Sequence, residues 1–143
     1  MGVWDNSGRL AERDVMRKRI LVVEDNEDNR RILLYRLRKI GDFEIVETAN
    51  GAEAVAAVEE NPPDLIFMDL KMPVMDGWEA TRRIRALDGG RDIPIIALTA
   101  QAMAGDEQKA LANGCNDYLA KPVVDPSLVR EKLERLLGIS SAS

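Results

Sequence analysis

The stretch Ile20–Arg30, ILVVEDNEDNR, decides how this sequence is read. Ile20 to Val23 form an unbroken apolar run, which suits a strand inside a sheet covered on both faces. Glu24 and Asp25 end it at once, with Glu27 and Asp28 close behind. Adjacent carboxylates repel one another unless protons, water or a cation compensate, so this strand end is either well solvated or waiting for a positive ligand. Beyond the acids, Asn29–Lys39 offers one apolar face made by Ile32, Leu33, Tyr35 and Leu37, as an amphipathic helix does.

Strand, polar turn and helix recur along the chain. Further strands are expected at Phe43–Ala49, Asp64–Asp69, Ile93–Thr99 and Asp117–Lys121, besides the first at Arg19–Glu24. Helices are expected at Gly51–Glu60, Gly77–Leu87, Ala102–Ala112 and Pro126–Leu137. The alternation predicts an α/β fold with a mainly parallel sheet. The first, third and fourth strands are nearly continuous apolar runs, whereas the second alternates and reads as an edge. Gly41 and Gly114 stand where helix C-caps belong. Residues 1–17 follow no strand pattern and are expected to be an extension with a short helix over Leu10–Arg17. Residues 18–138 form the domain, and 139–143 a flexible tail.

A chain of 143 residues fits one domain with a full core. Its net charge of −5 argues against nucleic acid as a partner. The apolar runs are strand-sized, well short of the ~20 residues of a membrane span, and MGVWDNSGRLAERD lacks the apolar core of a signal peptide, so a cytoplasmic protein is expected. The single cysteine, Cys115, excludes an internal disulfide and reads as a small buried residue. The absence of histidine excludes Ser-His or Cys-His nucleophile pairs, an imidazole base and His-ligated zinc. Chemistry here falls to carboxylates, hydroxyls and amines.

In a doubly wound sheet, ligands bind beyond the carboxyl ends of the strands. Those ends carry Glu24 and Asp25, then Asp69, Thr99 and Lys121. Each has an ordinary explanation: Asp25 or Asn26 as a helix cap, Asp69 as a turn cap, Thr99 as a strand former, Lys121 as a solvated lysine. Their convergence on one sheet edge is harder to explain that way.

Four motifs in order carry a resemblance: VVEDN at Val22–Asn26, LIFMDLKMPVMDG at Leu65–Gly77, ALTA at Ala97–Ala100 and DYLAKP at Asp117–Pro122. Over Arg19–Leu137 the chain resembles the receiver domain of two-component response regulators of the chemotaxis type. The resemblance implies a five-stranded flavodoxin-like sheet of order 2-1-3-4-5 with helices on both faces. It implies Asp69 as phosphoacceptor, taking a phosphoryl group from a histidine kinase or histidine phosphotransfer protein. It implies Mg²⁺ held by Glu24, Asp25, Asp69 and the backbone carbonyl of Lys71, which would answer the question raised by the acidic strand end. Thr99 and Lys121 would contact the phosphoryl group, Thr99 and Tyr118 would form the switch, and the Lys121–Pro122 bond would be cis. A downstream protein would dock on the face of the fourth helix and fifth strand, and the domain would act as a monomer.

Ordinary sheet geometry puts Lys121 roughly 10 Å from Asp69, a reach that suits a long ammonium stem. Ala100 leaves the site open, and Asp76-Gly77 reads as a turn and helix start in which Gly77 permits a positive φ. Tyr118 also has a plain core reading, and Met68, Met72 and Met75 read as packing.

Other functions fit less well. A haloacid-dehalogenase-like phosphohydrolase wants a second Asp two residues after the nucleophile, where this chain has Lys71. A flavodoxin-like nucleotide binder wants hydroxyls and amides after the first strand, where this chain has EDNEDN. A docking-only receiver would not need all five site residues. The expected protein is a self-modified switch with slow autodephosphorylation, not an enzyme acting on an external substrate.

Overall fold

A computed structural model describes residues 18–100 and 106–138. The expected extension over 1–17, its short helix, positions 102–105 of the expected helix Ala102–Ala112, and the tail over 139–143 lie outside the described residues. β1 (Arg19–Val23), β2 (Glu44–Thr48), β3 (Leu65–Asp69), β4 (Ile95–Thr99) and β5 (Asp117–Ala120) form one all-parallel sheet of order β2-β1-β3-β4-β5. Every residue of β3 and β4 is buried, and β2 is a half-exposed edge.

The helices are α1 (Glu27–Ile40), α2 (Gly51–Glu60), α3 (Gly77–Ala86), α4 (Asp106–Ala112) and α5 (Pro126–Leu137), with a 3₁₀ turn at Asp88–Gly90. α1 and α5 cover one face, where Leu33, Leu37, Val129 and Leu133 pack on Ile20, Val22 and Phe67. α2, α3 and α4 cover the other, where Ala54, Val58, Ala80, Ile84 and Ala110 pack on Leu21, Val23, Ile66 and Met68. Cys115 joins this second cluster, 5% exposed, and burial pushes its thiol pKa up. Met68 is fully buried, with Met72 and Met75 packed against the same cluster.

Local chemistry sets the helix starts. Asn26 caps α1 by accepting the Asn29 amide at 2.8 Å. Glu27 and Asp28 then lie in the first turn and Arg38 and Lys39 in the last, each complementing the helix dipole. α1 therefore begins two residues earlier than expected, and half of the opening acid run is explained by that dipole alone. Asp76 caps α3 by accepting the Glu79 amide at 2.9 Å.

One expectation fails at this turn. Gly77 is not in the left-handed region; the residue with positive φ in this turn is Val74, at 69°, which is 85% exposed. Gly77 is needed for another reason: a Cβ there would lie 2.1 Å from the Asp69 carbonyl oxygen. The requirement is close approach of α3 to the end of β3.

Candidate functional site

The sheet order puts β1 and β3 side by side, with Val23 opposite Met68, so the next residues out, Glu24 and Asp69, meet at the same edge. Side-chain oxygens of Glu24, Asp25 and Asp69 lie within 4.8 Å of one another. Glu24 and Asp69 are each 1% exposed, while Asp25 faces solvent.

Lys121, at the turn after β5, spans two strand spacings. Its Nζ is 2.9 Å from Asp69 Oδ1 and 3.5 Å from Glu24 Oε1. The Lys71 amide donates to the same Asp69 Oδ1 at 3.2 Å, and the Asn26 amide to Glu24 Oε2 at 3.0 Å. The Lys121–Pro122 bond is cis. Thr99, 4% exposed at the end of β4, donates its hydroxyl to the Leu119 carbonyl at 3.5 Å, and its own carbonyl accepts the Lys121 amide at 2.6 Å.

Tyr118 lies half-buried on β5, its ring centroid 5.8 Å from Lys132 Nζ. It borders a cavity of ≈ 320 Å³ that also touches Thr99, Leu128 and Lys132. The structure thus gathers Glu24, Asp25, Asp69 and Lys121 directly, and reaches Tyr118 from Thr99 along one cavity wall.

These acids are electrostatically frustrated. Burial, with the hydrogen bond to Asp69 second, raises Glu24 from 4.5 to about 7. Burial also raises Asp69, against the opposing pull of Glu24 and Lys121. Both acids are thus pushed toward the protonated form, and the ammonium, closer to Asp69 at 2.9 Å than to Glu24 at 3.5 Å, favours the charged form of Asp69 more. Burial by itself would lower the pKa of Lys121, but its bond to Asp69 and the nearby Glu24 raise it.

Glu24 Oε1 and Asp69 Oδ2 are buried without a hydrogen-bond partner. Such orphaned oxygens beside a third carboxylate make an all-oxygen donor set, which suits a hard cation such as Mg²⁺ and not zinc or copper.

Two supporting contacts were not picked out from the sequence. Asn26 steadies the Glu24 carboxylate with its amide. Arg30 donates Nη1 to the Glu24 carbonyl at 2.9 Å and pairs through Nε with Glu47 Oε1 on β2 at 3.1 Å. The only sequence signal for Arg30 was a cation one helical turn past the cap, on the face looking back at the strand end.

Comparison with known proteins agrees with this geometry. The family model of the response regulator receiver domain matches residues 20–134. The polar-differentiation response regulator DivK of Brucella anthropi is 39% identical over 123 residues, covering 86% of this chain and 98% of DivK. The receiver domain of the sensor histidine kinase PA1611 of Pseudomonas aeruginosa, a crystal structure with a magnesium ion coordinated in the active site cleft, superposes with TM-score 0.78. It has 43% identity and covers 85% of this chain and 98% of that one. The receiver domain of Ssk1 of Saccharomyces cerevisiae, crystallised with the histidine phosphotransfer protein Ypd1, superposes with TM-score 0.73. It has 39% identity over 82% of this chain and 88% of that one. With this sheet order, this acidic edge and these relatives, the chain belongs to the response regulator receiver domain family of two-component signalling.

Proposed function

We propose that Asp69 is the phosphoacceptor of this receiver and that its phosphoryl group comes from a phosphohistidine on a histidine kinase or histidine phosphotransfer protein. One observation carries the assignment. Each buried acid has one oxygen held and one unbonded, but only Asp69 has its held oxygen, Oδ1, against both the Lys121 ammonium at 2.9 Å and a backbone amide, that of Lys71 at 3.2 Å, which leaves Oδ2 free. That is the arrangement of an oriented nucleophile with a free lone pair.

Asp69 attacks phosphorus as the P–N bond to the donor imidazole breaks, and the departing imidazole takes up a proton from solvent. A P–O bond to Asp69 forms in its place, giving an acyl phosphate. Bound between Glu24, Asp25, Asp69 and the Lys71 carbonyl, Mg²⁺ would neutralise the incoming phosphoryl charge that these acids otherwise repel. Lys121 is already within reach and transfers its hydrogen bond from Asp69 to a phosphoryl oxygen. Thr99 turns its long, weak bond away from Leu119 toward the same group, and Tyr118 responds through the shared cavity.

Water later hydrolyses the acyl phosphate slowly, so the chain turns over only its own modification. The changed surface of α4 and β5 is read by a downstream protein, with the domain acting as a monomer. Among the described residues no helix is long and apolar enough to cross a membrane, and the reading places the protein in the cytoplasm.

Acetyl phosphate should add one phosphoryl group in a Mg²⁺-dependent way. The adduct should be labile to hydroxylamine, and Asp69→Asn should abolish it because an amide is no nucleophile here. Undiminished labelling of Asp69→Asn, or labelling indifferent to chelator, refutes the assignment.

A further inference from the structure

Glu24 is the residue at which the chain leaves the sheet. Its amide still bonds to the Thr48 carbonyl at 3.1 Å, completing the β1–β2 ladder. Its carbonyl, in the same peptide plane as the Asp25 amide, is taken by Arg30 Nη1 at 2.9 Å. The other side of that guanidinium is anchored to Glu47 on β2 at 3.1 Å, and the Arg30 side chain is only 23% exposed. The phosphoryl chemistry described above makes no use of this arginine.

Immediately beyond the peptide that Arg30 grips, three carboxylates lie within 4.8 Å of one another. Their mutual repulsion acts to swing Asp25, the solvent-facing member, out of the cluster. A planar fork fixed at both ends resists that motion, which a single point charge on a flexible stem does not.

We propose that Arg30 is a positioning residue of the metal site. By tying the Glu24 carbonyl to β2 it holds the Glu24–Asp25 peptide against carboxylate repulsion, so that the oxygen donors stand at metal-holding spacing before the cation arrives. The inference rests on the Mg²⁺ reading of these acids. It runs against the simplest electrostatic expectation, in which a cation beside an acidic site hinders the entry of a second cation. The two roles therefore predict opposite signs.

The test is Mg²⁺ binding by calorimetry to the wild type, Arg30→Gln and Arg30→Lys, together with backbone NMR of each protein in chelator. As a positioning residue, Arg30 makes both variants bind Mg²⁺ about ten-fold more weakly, the usual cost of removing an outer-shell partner. Arg30→Lys fails here although its charge is kept. Without metal, the Asp25 and Asn26 amides of both variants gain fast motion while the rest of the spectrum keeps its native dispersion. If Arg30 acts only as a charge, Arg30→Gln binds Mg²⁺ more tightly and Arg30→Lys binds as the wild type does; either result overturns the inference. So does unchanged motion at Asp25 and Asn26 in a folded variant. Absence of Mg²⁺ binding by the wild type itself overturns the metal reading and this inference with it, which separates that failure from one confined to Arg30.

Discussion

Replacing Glu24 by Gln should stabilise the metal-free protein while removing its response to Mg²⁺. Glu24 is 1% exposed and its carboxyl is raised from 4.5 to about 7 by burial and by Asp69. A carboxyl raised on folding contributes stability that is complete below the unfolded value, near 4.5, and lost as pH climbs through the folded value, near 7. Above that, the folded protein must hold a charge that water would solvate better. At 1.36 kcal/mol per unit the full displacement corresponds to about 3 kcal/mol. Gln recovers part of this, because it still accepts the Asn26 amide but gives up the attraction of Lys121 at 3.5 Å. A net gain of about 2 kcal/mol at pH 8, or roughly 8 °C in Tm, follows for a domain of this size. Urea unfolding in chelator at pH 5, 6.5 and 8 measures it, and the difference between variant and wild type cancels the titration of all other groups. The gain should grow from near zero at pH 5 to its full value at pH 8. Adding Mg²⁺ should raise wild-type stability and leave the variant little changed. A variant no more stable than the wild type at pH 8, or a difference independent of pH, refutes the reasoning.

Two further substitutions probe the coupling and the backbone around the site. Thr99→Ala should still accept a phosphoryl group from acetyl phosphate, but should lose a hydrogen bond to a charged group worth about 1.5–3 kcal/mol and so reduce the Tyr118 response at least ten-fold. With fluorotyrosine labelling the chain has two signals, from Tyr35 and Tyr118, and a Tyr118 signal that still moves as in the wild type would show that the hydroxyl does not couple. Gly77→Ala should cost about 2–3 kcal/mol in urea unfolding and slow phosphorylation as well, because its Cβ would lie 2.1 Å from the Asp69 carbonyl oxygen and must push α3 off the end of β3. Wild-type stability in this variant would mean that the close approach is not rigid.

Much of the fold was legible because the patterning is unambiguous where the sheet is buried. Leu65–Met68 and Ile95–Leu98 are buried apolar runs without a polar break, and no surface strand or amphipathic helix reads that way. Boundaries slipped where polar residues have local work the pattern does not reveal. Asp25 and Asn26 were equally open to reading as the helix cap, and only the bond from the Asn29 amide to Asn26 makes Glu27 and Asp28 part of α1. The 3₁₀ turn at Asp88–Gly90 has no periodic signal in three residues. The strand order was not legible from periodicity and came with the resemblance. Among the site residues, Glu24, Asp25, Asp69, Thr99 and Lys121 stood out because each is a polar group ending an apolar run. Arg30 was not legible, since its work is done by a contact to a main-chain carbonyl, and its place one turn past the cap is too weak a signal to set it apart from the other arginines of α1. Gly77 was noticed for the wrong reason, because close approach and positive φ both select glycine and leave the same letter.

The charges explain why the site needs all of its parts. Three carboxylates against one ammonium leave two negative charges in a crevice where two of the carboxylates are almost wholly buried. A proton taken up by either buried acid would reduce the excess to one, and burial drives both Glu24 and Asp69 in that direction. That proton also blocks the chemistry, because a protonated carboxyl is neither a good nucleophile nor a good ligand for a hard cation. A divalent cation held by Glu24, Asp25 and Asp69 would do what the proton does, with one more charge, and would leave the carboxylates ionised. Under the proposed phosphotransfer it would bring the crevice to neutrality just as a phosphoryl group with its own negative charge enters. With the acids balanced by the cation and Lys121 together, the ammonium could exchange its bond to Asp69 for one to the phosphoryl oxygens. The acidic strand end of Ile20–Arg30 is therefore expensive in the resting protein, and the expense belongs to the loaded state it prepares.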